Sequence, residues 1–138
     1  MRRILLVVGI SLVSALVLPI VAQEGRPFSQ VMKEIGGSVG EVKKAFDGQG
    51  NKEAVASGGE KLEGLFKEVQ VFFVKRGGAD DAVESAKNAQ AAAKELATEA
   101  TSGTKPGAQA AFAKVSGSCK GCHEAHREKL PEGGYKIK

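Results

Sequence analysis

The sequence predicts an all-α protein, an antiparallel up-down-up-down four-helix bundle. Two observations carry this. Apolar residues recur at three- and four-residue spacings through four successive segments, and short glycine- or proline-marked breaks separate those segments. No strand-like alternation of any length is expected. Helices of about 20 to 25 residues joined by short turns must reverse direction at each turn.

The first segment opens at Pro27, a residue suited to the first helical position, and runs to about Asp47. Phe28, Val31, Met32, Ile35, Val39, Val42 and Phe46 form its apolar stripe. Gly48-Gln49-Gly50 ends it, and Asn51 is placed to cap the next helix. The second segment, Lys52 to Arg76, carries Val55, Leu62, Leu65, Phe66, Val69 and Phe73 on one face before Gly77-Gly78 breaks it.

The third segment, about Asp80 to Ala100, is rich in alanine, with Val83, Ala86, Ala93, Leu96 and Ala100 turned inward. Asp80, Asp81 and Glu84 sit in its first turn, where carboxylates complement the helix N-terminus. After Ser102-Gly103-Thr104, Pro106 opens a fourth segment that is expected to continue to about Leu130, before Pro131. Its inner face holds Ala108, Ala111, Phe112, Val115, Cys119 and Cys122. Alanine-rich helices pack closely but bury little area. At roughly 25 cal/mol per Å² such a core is modest, and a large planar apolar group inside the bundle would fill it.

Residues 1–22 read as a secretory signal peptide. Arg2 and Arg3 precede an uncharged apolar run, and Ala22 offers a small residue for cleavage before Gln23. The alternative is an uncleaved membrane anchor, but the apolar stretch of about 19 residues is at the low end for a membrane span. Residues 23–138 then form one domain, exported to the periplasm or its equivalent. Without Arg2 and Arg3, 18 basic residues face 16 acidic ones, so a net charge of +2 remains of the formal +4. These charges are interspersed with no basic block, which argues against a nucleic-acid partner.

The chemistry is carried by Cys119-Lys120-Gly121-Cys122-His123, a C-x-x-C-H sequence and the attachment signature of c-type haem. Residues three and four apart share a helix face, so one turn presents two thiols to the porphyrin edge and the imidazole of His123 to the iron. The expectation is one covalently attached haem c. Other readings fit less well. A dithiol redox pair wants a strand-to-helix turn in a thioredoxin-like setting. A zinc site using Cys119, Cys122, His123 and His126 has suitable ligand types. Adjacent Cys122 and His123, however, point about 100 degrees apart on a helix. A disulfide suits an exported protein but gives no reason for His123.

A four-helix chain with C-x-x-C-H in its last helix, followed by Glu124 and Arg127, resembles the class II c-type cytochromes, which are cytochrome c′ and its low-spin relatives. Cytochrome c′ is itself an up-down bundle. The resemblance is specific over residues 119–127 and over Val31-Met32-Lys33-Glu34-Ile35-Gly36. It implies a bundle with the haem near the C-terminal helix and Arg127 near a haem propionate. The chain departs from the family pattern in three places. The family often has an aromatic residue at the position of His126, and an arginine one turn before the sixth ligand, where this chain has Phe28. The connection between the second and third helices is shorter than usual and lacks an aromatic-proline cover, which leaves one haem edge open.

The iron's sixth position separates the functional readings. After Ala22 the chain has one methionine, Met32, and one histidine besides His123, His126. His126 lies three residues on along the same helix and does not reach the far face of the ring. A lysine or the N-terminal amine is a rarer ligand. Met32 lies on the first helix's apolar stripe and, by the resemblance, where low-spin members carry their methionine. Gly36 and Gly40 follow on the same face and would let the porphyrin approach the backbone, although glycine in a helix costs about 1 kcal/mol relative to alanine.

Ligation by His123 and Met32 raises the reduction potential and suits an electron carrier, not an enzyme, docking with soluble or membrane redox proteins. The alternative leaves the iron five-coordinate, as in cytochrome c′, and binds nitric oxide or carbon monoxide. A third is a haem-bearing structural partner in a larger exported complex. The bundle surface could also support a homodimer.

Overall fold

The computed structural model describes residues 26–48 and 51–138. The expected signal peptide, residues 1–22, lies outside the described residues, as do Gln49 and Gly50 of the first break. Four helices follow in order: α1 (Phe28–Asp47), α2 (Lys52–Arg76), α3 (Asp80–Ser102) and α4 (Lys105–His126). They form the antiparallel four-helix bundle that the periodicity predicts.

Helix ends follow the local signals. Asn51 caps α2 by accepting from the Ala54 backbone N–H at 3.1 Å, and Thr104 caps α4 by accepting from Gly107 at 3.0 Å. Pro27 stands one position earlier than predicted, as the N-cap residue of α1 with extended ψ of 130°. Gly77 and Gly78 turn the chain between α2 and α3 at φ of 72° and 70°, a region that disfavours side-chain-bearing residues.

The predicted stripes are the core. Val31, Ile35 and Val42 of α1, every predicted inward residue of α2, and Ala86, Ala93, Leu96 and Ala100 of α3 are buried. Ala82, Ala89 and Ala92 join them. The α2–α3 pair packs closest. At Gly59 a Cβ would stand 2.8 Å from the Ala97 backbone nitrogen and 2.9 Å from the Ala93 carbonyl oxygen. Ser38 is wholly buried, and its hydroxyl has no hydrogen-bond partner among the described residues.

The fourth helix ends earlier than expected. It stops at His126 instead of running on to Leu130, and Arg127 adopts extended backbone, φ −117° and ψ 130°. A two-stranded antiparallel hairpin follows, β1 (Arg127–Lys129) and β2 (Tyr135–Ile137), pairing Arg127 with Ile137 and Lys129 with Tyr135. This corrects the expectation of no strands. A tight turn joins the two strands. Pro131 sets φ for a tight turn closed by Gly133 N–H donating to the Leu130 carbonyl oxygen at 3.1 Å, and Gly133 and Gly134 take φ of 96° and 83°.

The hairpin folds back onto the bundle. Lys138 N–H donates to the His126 carbonyl oxygen at 2.9 Å, and Arg76 Nη2 donates to the Lys138 backbone oxygen at 2.8 Å. Ile137 packs against the core.

Candidate haem site

α1 packs on α2, α2 on α3, and α3 on α4. Between α1 and α4, the Phe46 and Phe112 rings approach to 5.6 Å at one end. Toward the other end the helices frame a cavity of about 790 Å³. That volume lies within the usual range of small-molecule and cofactor sites.

The four helices contribute mainly apolar walls. Phe28, Met32, Ile35, Gly36 and Val39 come from α1, Phe66, Val69 and Phe73 from α2, and Ala86 and Ala89 from α3. The rim is aromatic. Phe28 stacks on Phe72 at 4.0 Å and meets Phe73 edge-on at 5.7 Å, contacts worth about 0.5–1.5 kcal/mol beyond area burial. Phe28, which stands where the family often has an arginine, is thus part of an apolar wall. The nearby Arg26 is held by Glu34, at 2.7 Å, and by Glu68.

α4 brings the chemistry. Cys119, Cys122 and His123 all line the cavity, so the one-turn presentation expected from the spacing is present. The two half-buried thiols are pushed up in pKa by burial. The Cys122 sulfur adds to the effect at Cys119, and the Asp81 carboxylate adds to it at Cys122. Both therefore stay neutral beside an apolar space. Burial, and then the cation of Arg127, push the His123 imidazole down, which favours the neutral form that ligates metals.

Met32 lines the same cavity as His123, and so does Gly36, where a Cβ would meet nothing within 4 Å. Gly40 does not line it. His126 lines the cavity too, but its ring is engaged elsewhere. Its Nε2 lies 2.8 Å from Asp81 Oδ2, and its ring rests 5.7 Å from that of Phe73. Among the described residues no group of three or more histidine, cysteine or acidic side chains is placed to share a metal ion.

The hairpin supplies a wall that sequence reasoning missed. Arg127, Tyr135, Lys136 and Ile137 line the cavity, and the Arg127 guanidinium lies 3.8 Å above the centre of the Tyr135 ring. The signal was in the chain: Pro131 and Gly133-Gly134 between two short polar runs mark a turn. The edge left thin by the short α2–α3 connection therefore has the folded-back C-terminus beside it, tied to Arg76 at the end of α2.

These residues fit a haem. Apolar walls suit the porphyrin face, two thiols and an imidazole on one helical turn suit covalent attachment and ligation, and cationic side chains suit the carboxylate edge. A four-helix bundle with this site suits a haem held covalently against its last helix.

The comparisons agree. The family model described as Cytochrome C' matches residues 77–127, which include the whole C-x-x-C-H motif. The crystal structure of cytochrome c′ from Thermochromatium tepidum matches with a TM-score of 0.58 and 19% identity, covering 72% of this chain and 94% of that one. A comparison with curated proteins gives no match. The family match, over just over a third of the chain, carries the motif and the structural likeness carries the fold, and together they support the class II c-type cytochrome family and a haem c cofactor. Met32 precedes the matched residues, and β2 follows them.

Proposed function

We propose that this chain is an exported c-type cytochrome that keeps one face of its iron available for nitric oxide or carbon monoxide. Cys119 and Cys122 attach one haem, and His123 ligates the iron. The sequence reading put the electron carrier first, but the family match favours the gas-binding alternative. The observation that carries this reading is the match to the Cytochrome C' family across the entire attachment turn. Bound in this cavity, haem c would supply a reducible iron able to take a diatomic ligand. The chain's own residues fix the ring through α4 and surround it with apolar walls that limit water.

One observation favours the second reading. Met32 lines the same cavity as His123, so ligation by both, with electron transfer to soluble or membrane redox proteins, is the competing function. In either reading the chain turns over no substrate of its own and has no nucleic-acid partner. Association into a homodimer is compatible with both. Periplasmic location follows from the leader reading and from haem c chemistry. Among the described residues no helix is long and apolar enough to cross a membrane.

Absorption spectra of the oxidised and reduced protein, with and without carbon monoxide, test the proposal. A high-spin spectrum with ready carbon monoxide binding is expected. A low-spin spectrum that resists carbon monoxide overturns it in favour of the carrier.

A further inference from the structure

The C-terminal hairpin poses a question that the bundle does not. Tyr135 is 55% exposed, so core burial does not account for its place. What it holds is Arg127, whose guanidinium stacks 3.8 Å above the ring centre. Strand pairing sets the two side by side. Arg127 is opposite Ile137, Lys129 is opposite Tyr135, and the stacked pair spans the diagonal between them.

Arg127 is also free of carboxylates. No ion pair among the described residues involves it, whereas Arg26 holds two acids and Lys136 is paired with Glu128 at 3.3 Å. An arginine held by its flat face keeps its N–H edge for an anion. It does so on the wall of the cavity that Cys119, Cys122 and His123 share. The anions a haem brings are its propionates. The family match ends at residue 127, so the partner that orients this arginine lies beyond the matched residues.

We propose that Tyr135 is a positioning residue, which stacks on Arg127 and holds its charge at the carboxylate edge of the haem. The hairpin thereby helps to set the haem's electrostatics. This rests on the haem occupying the cavity as proposed above.

The test is a redox titration of the purified holoprotein, followed by haem absorbance, for wild type, Arg127→Gln, Tyr135→Phe, Tyr135→Leu and the double variant Tyr135→Leu with Arg127→Gln. Losing a nearby cation favours ferric iron, so Arg127→Gln lowers the midpoint potential. Tyr135→Leu shifts it in the same direction, Tyr135→Phe keeps the wild-type value, and the double variant falls no further than Arg127→Gln alone. A wild-type potential for Tyr135→Leu overturns the inference. So does a Tyr135→Phe value as low as that of Tyr135→Leu, or additive shifts in the double variant.

Arg127→Lys gives the same test if Tyr135→Leu does not mature. It keeps the charge but gives up the planar stack, so a lowered potential supports positioning and a wild-type potential overturns it. A purified wild type without haem defeats the underlying reading along with the inference. Normal haem content with unresponsive potentials defeats the inference alone.

Discussion

His126 Nε2 lies 2.8 Å from Asp81 Oδ2, tying the last turn of α4 to the first turn of α3 across 45 residues of sequence. The contact closes the bundle beside the cavity. It also turns His126 to a carboxylate, with the Phe73 ring behind it.

The pair makes stability depend on pH in the acid range. The hydrogen bond from His126 is the main cause that holds the Asp81 carboxyl below its ordinary 3.8. A depressed carboxylate contributes stability that is complete above its unfolded pKa and is lost as pH falls through the folded one. Thermal unfolding should therefore show wild type above Asp81→Asn at neutral pH, with the gap closing below about pH 4. Parallel curves throughout would remove the pair from the stability account.

Met32→Ala separates the two functional readings. If the iron is five-coordinate, the variant keeps the wild-type high-spin spectrum and its carbon monoxide affinity. Conversion from a low-spin to a high-spin spectrum, with a lowered potential, would return the protein to the electron carriers.

Cys122→Ala should leave at most one thioether bond and impair maturation. Less holoprotein is expected, together with a shifted absorption band in whatever matures. A variant with full yield and an unchanged spectrum would show that Cys122 forms no bond to the haem.

Gly59→Ala places a methyl group against the α3 backbone, where the nearest atoms lie at 2.8 to 3.0 Å. Overpacking of this kind costs about 1–3 kcal/mol, to be read from denaturant unfolding. A loss much smaller than that means α2 and α3 can separate at little cost.

Ser38→Ala should leave stability unchanged or raise it. The hydroxyl is wholly buried without a partner among the described residues, and an unsatisfied buried polar group costs about 1–3 kcal/mol. A destabilised variant would reveal a hydrogen bond that the hydroxyl makes in solution.

The bundle was readable because its causes are local. Helical periodicity put Val42, Leu62, Leu96 and Val115 inside, and all four are fully buried. Asn51 and the paired glycines 77 and 78 mark boundaries through their own side-chain or backbone preferences. The attachment turn was equally legible, since spacings of three and four residues settle which side chains of a helix share a face.

The last eleven residues were not legible in the same way. Residues 128–138 are short and mostly polar, without a stripe to read, and Pro131 fits the end of a helix as well as the start of a hairpin turn. Their place depends on contacts remote in sequence, such as Arg76 with Lys138 and Ile137 with the core.

By itself, then, the sequence determined four amphipathic helices and one turn bearing Cys119, Cys122 and His123, because both follow from residue spacing along a single helix. Only the tertiary structure decided that α1 and α4 part to frame a cavity, that Met32 and His123 share it, and that Tyr135 returns to stack on Arg127. Those relations depend on how separate elements pack, and periodicity within one element carries no information about the distance to another.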